Sequence, residues 1–257
     1  MFEPHCRNNL DRRLFDGIAQ GYEGPAQVFS LFQYRRWRRF LVSRLRLGPQ
    51  DLVLDVGTGT GLVARDIAKR TGCRVVGVDL ADRMIGQAHR DVQAHGLAPR
   101  VSLLKGCAES LPFADHSFDA VAFTFLYRYI ENPQDILGEL TRVLRPGGQM
   151  ASLEFFMPQS PVLYGLWLLH TRLVLPVGTR ILSPGWREVG SFLGPSISHF
   201  YRHCKLEDLK QIWVRAGLRN VQTKELSLGG ALTRLFKAKI WILKKPDPLW
   251  KRTTAEW

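Results

Sequence analysis

Residues 52–79 read LVLDVGTGTGLVARDIAKRTGCRVVGVD. An apolar run over 52–56 leads into a turn dense in glycine (Gly57, Gly59, Gly61), then an amphipathic segment over 62–70 and a second apolar run ending at Asp79. Short apolar runs bounded by glycine predict strands and the intervening pattern predicts a helix, so the stretch is a strand, loop, helix, strand unit. Asp79 falls 18 residues after Gly61, close to the ~20-residue spacing that brings an acid at the end of the second strand to a ribose 2′-hydroxyl. The unit binds a ligand carrying an adenosine.

Two kinds of adenosine ligand compete for it. Gly59, Gly61 and Ala64 satisfy the loose G-x-G-x-x-A pattern of dinucleotide sites. Asp55 argues the other way: at the end of the first strand its charge would oppose a diphosphate and suit a cation, such as the ammonium and sulfonium of S-adenosylmethionine. The G-x-G-x-G repeat also packs a tight turn and does not space one for phosphates. The methyl donor is the better fit, and a glycine turn that binds nothing would leave Asp55, the glycines and Asp79 unexplained together.

Working outward, strands are predicted at 52–56, 74–79, 101–105, 118–125 and 149–155, with helices at 62–70, 82–95 and 133–144. The alternation predicts a doubly wound α/β fold with a parallel sheet covered on both faces, ligands gathering at the carboxyl ends of the strands. A helix at 206–216 and strands at 221–226 and 235–243 follow. Before the core, Phe29, Phe32, Trp37, Phe40 and Leu41 are spaced for one helical face with Arg35, Arg36, Arg38 and Arg39 interleaved. Two helices are predicted there, broken near 21–25 and closed by Gly48-Pro49; such a segment caps a pocket, lies on a membrane or simply packs on the core. Residues 156–205, rich in Pro, Leu and aromatics, are predicted to cover a hydrophobic substrate, the alternative being extra helices that complete the core. One domain suffices: a helical cap over 1–50, a cofactor core over 51–155, a substrate cover over 156–205, and a closing helix and strands over 206–257, whose tail from 244 frays.

VLDVGTGTG, VVGVDLADRMIGQA, AESLPFADHSFDAVAFTF and RVLRPGG resemble, in order and spacing, the successive motifs of class I S-adenosylmethionine-dependent methyltransferases. The flanks narrow the resemblance to the ubiquinone/menaquinone biosynthesis C-methyltransferase family. FDGIAQGYE is similar to that family's opening F-D-x-I-A-x-x-Y-D, placing Phe15, Asp16 and Tyr22 on matched positions. Phe125 to Tyr129 corresponds to its F-G-L-R-N and Leu153 to Pro158 to its L-E-F-x-x-P; Arg128 is kept, and Tyr129 stands for the family's Asn. The resemblance implies a Rossmann-like seven-stranded sheet whose last strand is antiparallel and inserted between two neighbours. It implies a donor site from Asp55, Gly57, Thr58, Gly59, Gly61, Asp79, Leu80, Met84, Cys107, Ala108, Glu109 and Thr124. Within it Asp79 takes the ribose hydroxyls, Leu80 and Met84 pack the adenine, and Cys107 replaces the acid expected at the adenine amino group; plain core packing is the other role open to Met84.

Attack on a sulfonium methyl needs positioning and no metal. Making a quinol carbon nucleophilic also needs a neighbouring hydroxyl ionised or polarised. Arg128 is the group the family position implies, with Tyr22, His170, His199, Tyr201 and His203 as pocket candidates and Glu154, at a strand's carboxyl end, as an acid/base candidate.

The net charge of +13 lies outside the core: +5 over 1–50, −1 over 51–150, +5 over 151–236 and +4 over 237–257. Basic flanks suit an anionic membrane or RNA, or serve solubility alone. No RNA module and no Asn/Asp-Pro-Pro-aromatic motif for amine methylation accompanies the charge; TFLYRY stands at that position, so nucleic acid is the lesser partner. Cys6, Cys73, Cys107 and Cys204 form no C-x-x-C or Cys/His cluster, so neither a metal site nor a disulfide framework is indicated and a reducing cytoplasm is the expected setting. The opening residues lack a signal-peptide pattern, and the most apolar segment, 161–178, is expected to be interrupted by His170, Arg172 and Pro176 and too short to span a membrane. The leading function is methylation of a lipophilic small molecule, most concretely C-methylation of a prenylated quinol at a membrane surface. O-, N- or C-methylation of a secondary metabolite or lipid, an RNA-binding role with or without methylation, and donor binding without catalysis are the competing readings, and a homodimer is left open.

Overall fold

Consecutive residues of the central strands point to opposite sides of the sheet, and both sides are dry. Val53, Ala120, Ala122, Leu153 and Ile240 enter one apolar layer, while Leu54, Val121, Phe123, Met150 and Trp241 enter the other. The computed structural model describes residues 9–130, 132–158, 160–204, 206–226 and 237–246.

Its core runs β1 (Leu52–Val56), α4 (Leu62–Thr71), β2 (Arg74–Asp79), α5 (Asp82–Ala94), β3 (Val101–Lys105), β4 (Phe118–Thr124), α6 (Pro133–Val143) and β5 (Leu144–Phe156). The sheet has seven strands in the order β3-β2-β1-β4-β5-β7-β6. β1 to β5 pair in parallel, and β7 (Lys237–Lys244) runs antiparallel between β5 and β6 (Arg219–Leu226). This is the expected doubly wound α/β sheet with its inserted last strand. Residues 235–236 of the predicted strand and the tail from 247 onward lie outside the described residues. One layer takes Trp37 and Leu41 together with Ile67 of α4, and the other takes Leu137 and Leu140 of α6 with Leu209 and Trp213 of α9 (Leu206–Arg215).

Three helices precede the sheet where two were expected: α1 (Asn9–Asp16), α2 (Glu23–Phe29) and α3 (Tyr34–Arg44). Gly21, with φ of 75°, does break the chain, but Pro25 occupies the first turn of α2, where a missing N–H costs nothing. The second break falls at Leu31 and Phe32, both at positive φ. It shifts the helical phase, so α3 buries Tyr34, Trp37, Arg38, Leu41 and Val42 and leaves Phe32 67% exposed. Arg38 thereby leaves the solvent face and bonds Asp66 at 2.8 Å.

The insertion is a helical pair. α7 (Pro161–Arg180) continues through His170 and Arg172 by a π-turn over His170–Val174, just ahead of Pro176. The expected interruption does not occur, because the wider turn accommodates the proline's missing N–H. By length and composition alone, α7 is long and apolar enough to cross a membrane. Its Thr171 and Thr179 press on glycines of α8 (Pro184–His203): a Cβ on Gly190 would fall 2.1 Å from Thr179 Oγ1, and one on Gly194 2.8 Å from Thr171 Cβ. α8 also meets the chain after α1 backbone to backbone, since a Cβ on Gly185 would fall 2.5 Å from the Gly17 carbonyl oxygen.

Candidate active site

The carboxyl ends of β1, β2 and β4 open on one cleft, roofed by residues of the N-terminal helices. Gly57, Thr58, Gly59 and Thr60 line it from the loop after β1, Asp79, Leu80, Ala81 and Met84 from the end of β2, and Gly106 to Glu109 from the loop after β3. Arg12, Phe15, Tyr22 and Tyr34 come from the N-terminal segment, and Thr124 to Leu126, Arg128, Tyr129 and Ile130 from the turn after β4.

Asp79 is fixed by two amides: Oδ2 accepts from Gly59 N at 2.7 Å and Oδ1 from Ala81 N at 2.9 Å. Burial raises its pKa above the ordinary 3.8, partly offset by these amides. Each oxygen keeps a lone pair for a ribose hydroxyl. Gly57 and Gly59, at φ of 67° and 56°, present bare backbone to the cleft. Leu80, Met84 and Ala108 supply apolar contact for a purine. These features fit the expected donor.

Arg128 lies at the aromatic end. Its guanidinium is 4.7 Å from the Tyr129 ring centroid, 5.3 Å from Phe155 and 5.4 Å from Phe125. Nε and Nη1 are buried and make no hydrogen bond. Tyr22, stacked on Trp186 with centroids 6.0 Å apart, shares this space, and burial raises its phenol pKa. The turn over Tyr127–Tyr129 that carries Arg128 is held by Glu154, whose Oε1 accepts from Leu126 N at 2.6 Å and Tyr127 N at 3.1 Å.

Of the expected donor-site residues, Gly57, Thr58, Gly59, Asp79, Leu80, Met84, Cys107, Ala108, Glu109 and Thr124 line the cleft, and Asp55 and Gly61 do not. Asp55 is buried beneath the loop, with Oδ2 accepting from Thr58 Oγ1 at 2.6 Å and Ala64 N at 3.1 Å, and burial pushes its pKa up to about 7. Its Oδ2 staples the glycine turn from beneath, and a carboxyl pushed toward neutrality by burial weakens the charge argument built on it. Gly61 serves helix packing, since a Cβ there would come 3.3 Å from Ala88 Cβ on α5. Cys107 is disulfide-bonded, which departs from the reading of all four cysteines as thiols; their separation along the chain carried no sign of it.

Among the acceptor-side candidates, Tyr22 and Arg128 line the cleft. Glu154 lies below it, anchoring the turn, and burial pushes its pKa up to about 7. Tyr201 donates its hydroxyl to the Phe155 carbonyl, and His170, in the π-turn of α7, bonds the Phe29 backbone. His199 and His203 lie beside each other on exposed α8 positions, with ring centroids 4.3 Å apart and planes tilted by 39°. Tyr34 and Arg12 were not anticipated; the arginine-rich pattern around Tyr34 advertised a solvent face, and nothing in the sequence located the phase shift at Leu31.

The sequence profile of the ubiE/COQ5 methyltransferase family matches residues 6–237. The chain belongs to that family. It is 33% identical over 231 residues, 89% of this chain and 96% of the relative, to the ubiquinone/menaquinone biosynthesis C-methyltransferase UbiE of Geotalea daltonii. It is 31% identical to the demethylmenaquinone methyltransferase of Lactiplantibacillus plantarum, over 85% of this chain and 91% of that one. Among solved structures, the geranyl diphosphate C-methyltransferase of Streptomyces coelicolor has a TM-score of 0.59 at 17% identity, over 82% of this chain and 79% of that one. The methyltransferase complexed with the Haloferax volcanii Trm112 activator has a TM-score of 0.61 at 20% identity, over 90% and 97%. At these identities the structural likeness concerns the fold. The family member is an S-adenosylmethionine-dependent methyltransferase with the class I fold.

Proposed function

We propose that the enzyme C-methylates the ring of a prenylated quinol, working peripheral to an anionic membrane. The observation that carries the reading is Arg128, a buried guanidinium with two unbonded nitrogens inside an aromatic enclosure, in the same cleft as Asp79 and the glycine turn. The names of the relatives support the acceptor class.

When bound, the donor supplies an electrophilic sulfonium methyl. Asp79 and the bare loop backbone orient its ribose, and Phe15, Tyr22, Tyr34 and Phe125 pack against the acceptor while its hydroxyl edge stays open to water. Arg128 faces an acceptor hydroxyl and lowers its pKa, so that its proton leaves to solvent and the oxyanion pushes electrons to the neighbouring ring carbon. That carbon forms the new bond to the methyl as the carbon–sulfur bond breaks, and the ring proton departs to water to restore aromaticity. Glu154 serves as a positioning residue, because it fixes the turn on which Arg128 stands.

The test is incubation with methyl-labelled donor and a chemically reduced demethylnaphthoquinol bearing a short prenyl chain. Label bound to a ring carbon, stable to acid and base, is the expected product. Label only on oxygen, or transfer to a soluble amine with no transfer to the quinol, would overturn the proposal.

A further inference from the structure

Large apolar side chains are exposed at twelve positions among the described residues, and nine of these fall between Val162 and Leu182. Val162, Leu166, Leu169, Leu173, Val177 and Ile181 recur every three or four residues, forming one outward stripe about 28 Å long at ~1.5 Å per residue. The opposite face is committed to the body of the protein: Trp167, Thr171, Leu175 and Thr179 are buried, and the two threonines press on Gly194 and Gly190. Those contacts hold the apolar stripe on the outside of the folded chain. Over 161–182 the chain has no Asp or Glu and two arginines, Arg172 and Arg180, both exposed; the next charges, Arg187 and Glu188, are on α8.

We infer that the outer face of α7 docks on a lipid bilayer carrying anionic headgroups, lying flat with its apolar stripe at the acyl boundary and its arginines among the phosphates. An apolar stripe with cationic flanks and no acid matches that surface in both hydropathy and charge. A second copy of the chain is the poorer occupant, because a two-fold pairing sets this acid-free, arginine-bearing face against itself. The inference rests on the reading of the acceptor as a prenylated quinol, a molecule that would be drawn from that bilayer.

The experiment is flotation of the full chain with vesicles of phosphatidylcholine alone or with 30 mol% phosphatidylglycerol, about that fraction being enough to give a charged surface. It compares wild type, Leu169→Glu/Leu173→Glu and Arg172→Gln/Arg180→Gln. Wild type is expected to float with the anionic vesicles. The glutamate pair should lose at least about tenfold in partitioning, and the arginine pair about 30-fold on anionic vesicles alone, from ~1 kcal/mol per arginine. Sedimentation velocity and methylation of the short-chain quinol are measured on the same samples and should not change. Wild type that stays with the soluble fraction, or glutamate variants that float like wild type, overturns the docking. Glutamate variants that turn a dimer into a monomer would instead assign the face to a second copy. Vesicle binding without quinol methylation would fail the acceptor reading and leave the docking standing, and the reverse result would do the opposite.

Discussion

Burial raises the pKa of Asp79, and the amides of Gly59 and Ala81 partly offset that cost by donating to its carboxylate. Hydrogen bonds to a charged acceptor contribute about 1.5–3 kcal/mol each, so Asp79→Asn is expected to weaken donor affinity by roughly 10- to 100-fold for each ribose hydroxyl it no longer holds, read by calorimetry. Arg128 acts later on the path. Arg128→Gln should leave donor affinity unchanged and lower kcat by about 10²- to 10³-fold, the usual size for removing one donor to a developing oxyanion; loss of donor binding instead would move Arg128 to the donor side of the cleft. The two acids beneath the site set a pH dependence. Asp55 and Glu154 have folded pKa values of about 7 against ordinary values of 3.8 and 4.5. Between those limits the folded chain holds protons that the unfolded chain has released, so their contribution to stability is full below about pH 4, declines as pH rises, and levels off above about pH 7. Melting curves from pH 5 to 8 should show that decline in wild type and a shallower one in Asp55→Asn and Glu154→Gln.

At the scale of elements, strand parity is what the sequence offered and a motif reading passed over. Leu54 and Val56 enter one layer, which turns Asp55 toward the other, under the loop; Leu153 and Phe155 likewise turn Glu154 toward the turn after β4. Short apolar runs made β1 to β4 legible to within a residue, whereas β5 begins at Leu144, five residues before the predicted 149, because Arg145 to Gly148 carry no apolar pattern. The phase shift at Leu31 and Phe32 was not, because neither residue is a glycine and positive φ there is imposed by packing. The continuity of α7 was hidden too, since the π-turn that absorbs Pro176 has no residue pattern of its own. Threonine against glycine holds α7 and α8 together, so Gly190→Val has no room for its methyls beside Thr179. It is expected to cost about 1–3 kcal/mol, the range for overpacking, read as a lower midpoint in denaturant; the paired variant Gly190→Val/Thr179→Ala should recover part of it.

For the whole molecule, the cleft joins distant stretches of chain, so a ligand held there ties together parts that otherwise open separately. Donor at 100 times its dissociation constant should add about 2.7 kcal/mol and raise the melting temperature by about 5–11 °C, measured by calorimetry. The central placement of β7 bears on how the protein is born. Everything that lines the donor half has been synthesised by Thr124, yet β5 and β6 each wait for Lys237–Lys244 before their facing edges can pair. While the ribosome completes the last segment, the nascent chain carries two open strand edges, the apolar one of β5 and the polar one of β6, and the first is the kind of surface that chaperones recognise. The sheet closes only after that strand has cleared the exit tunnel.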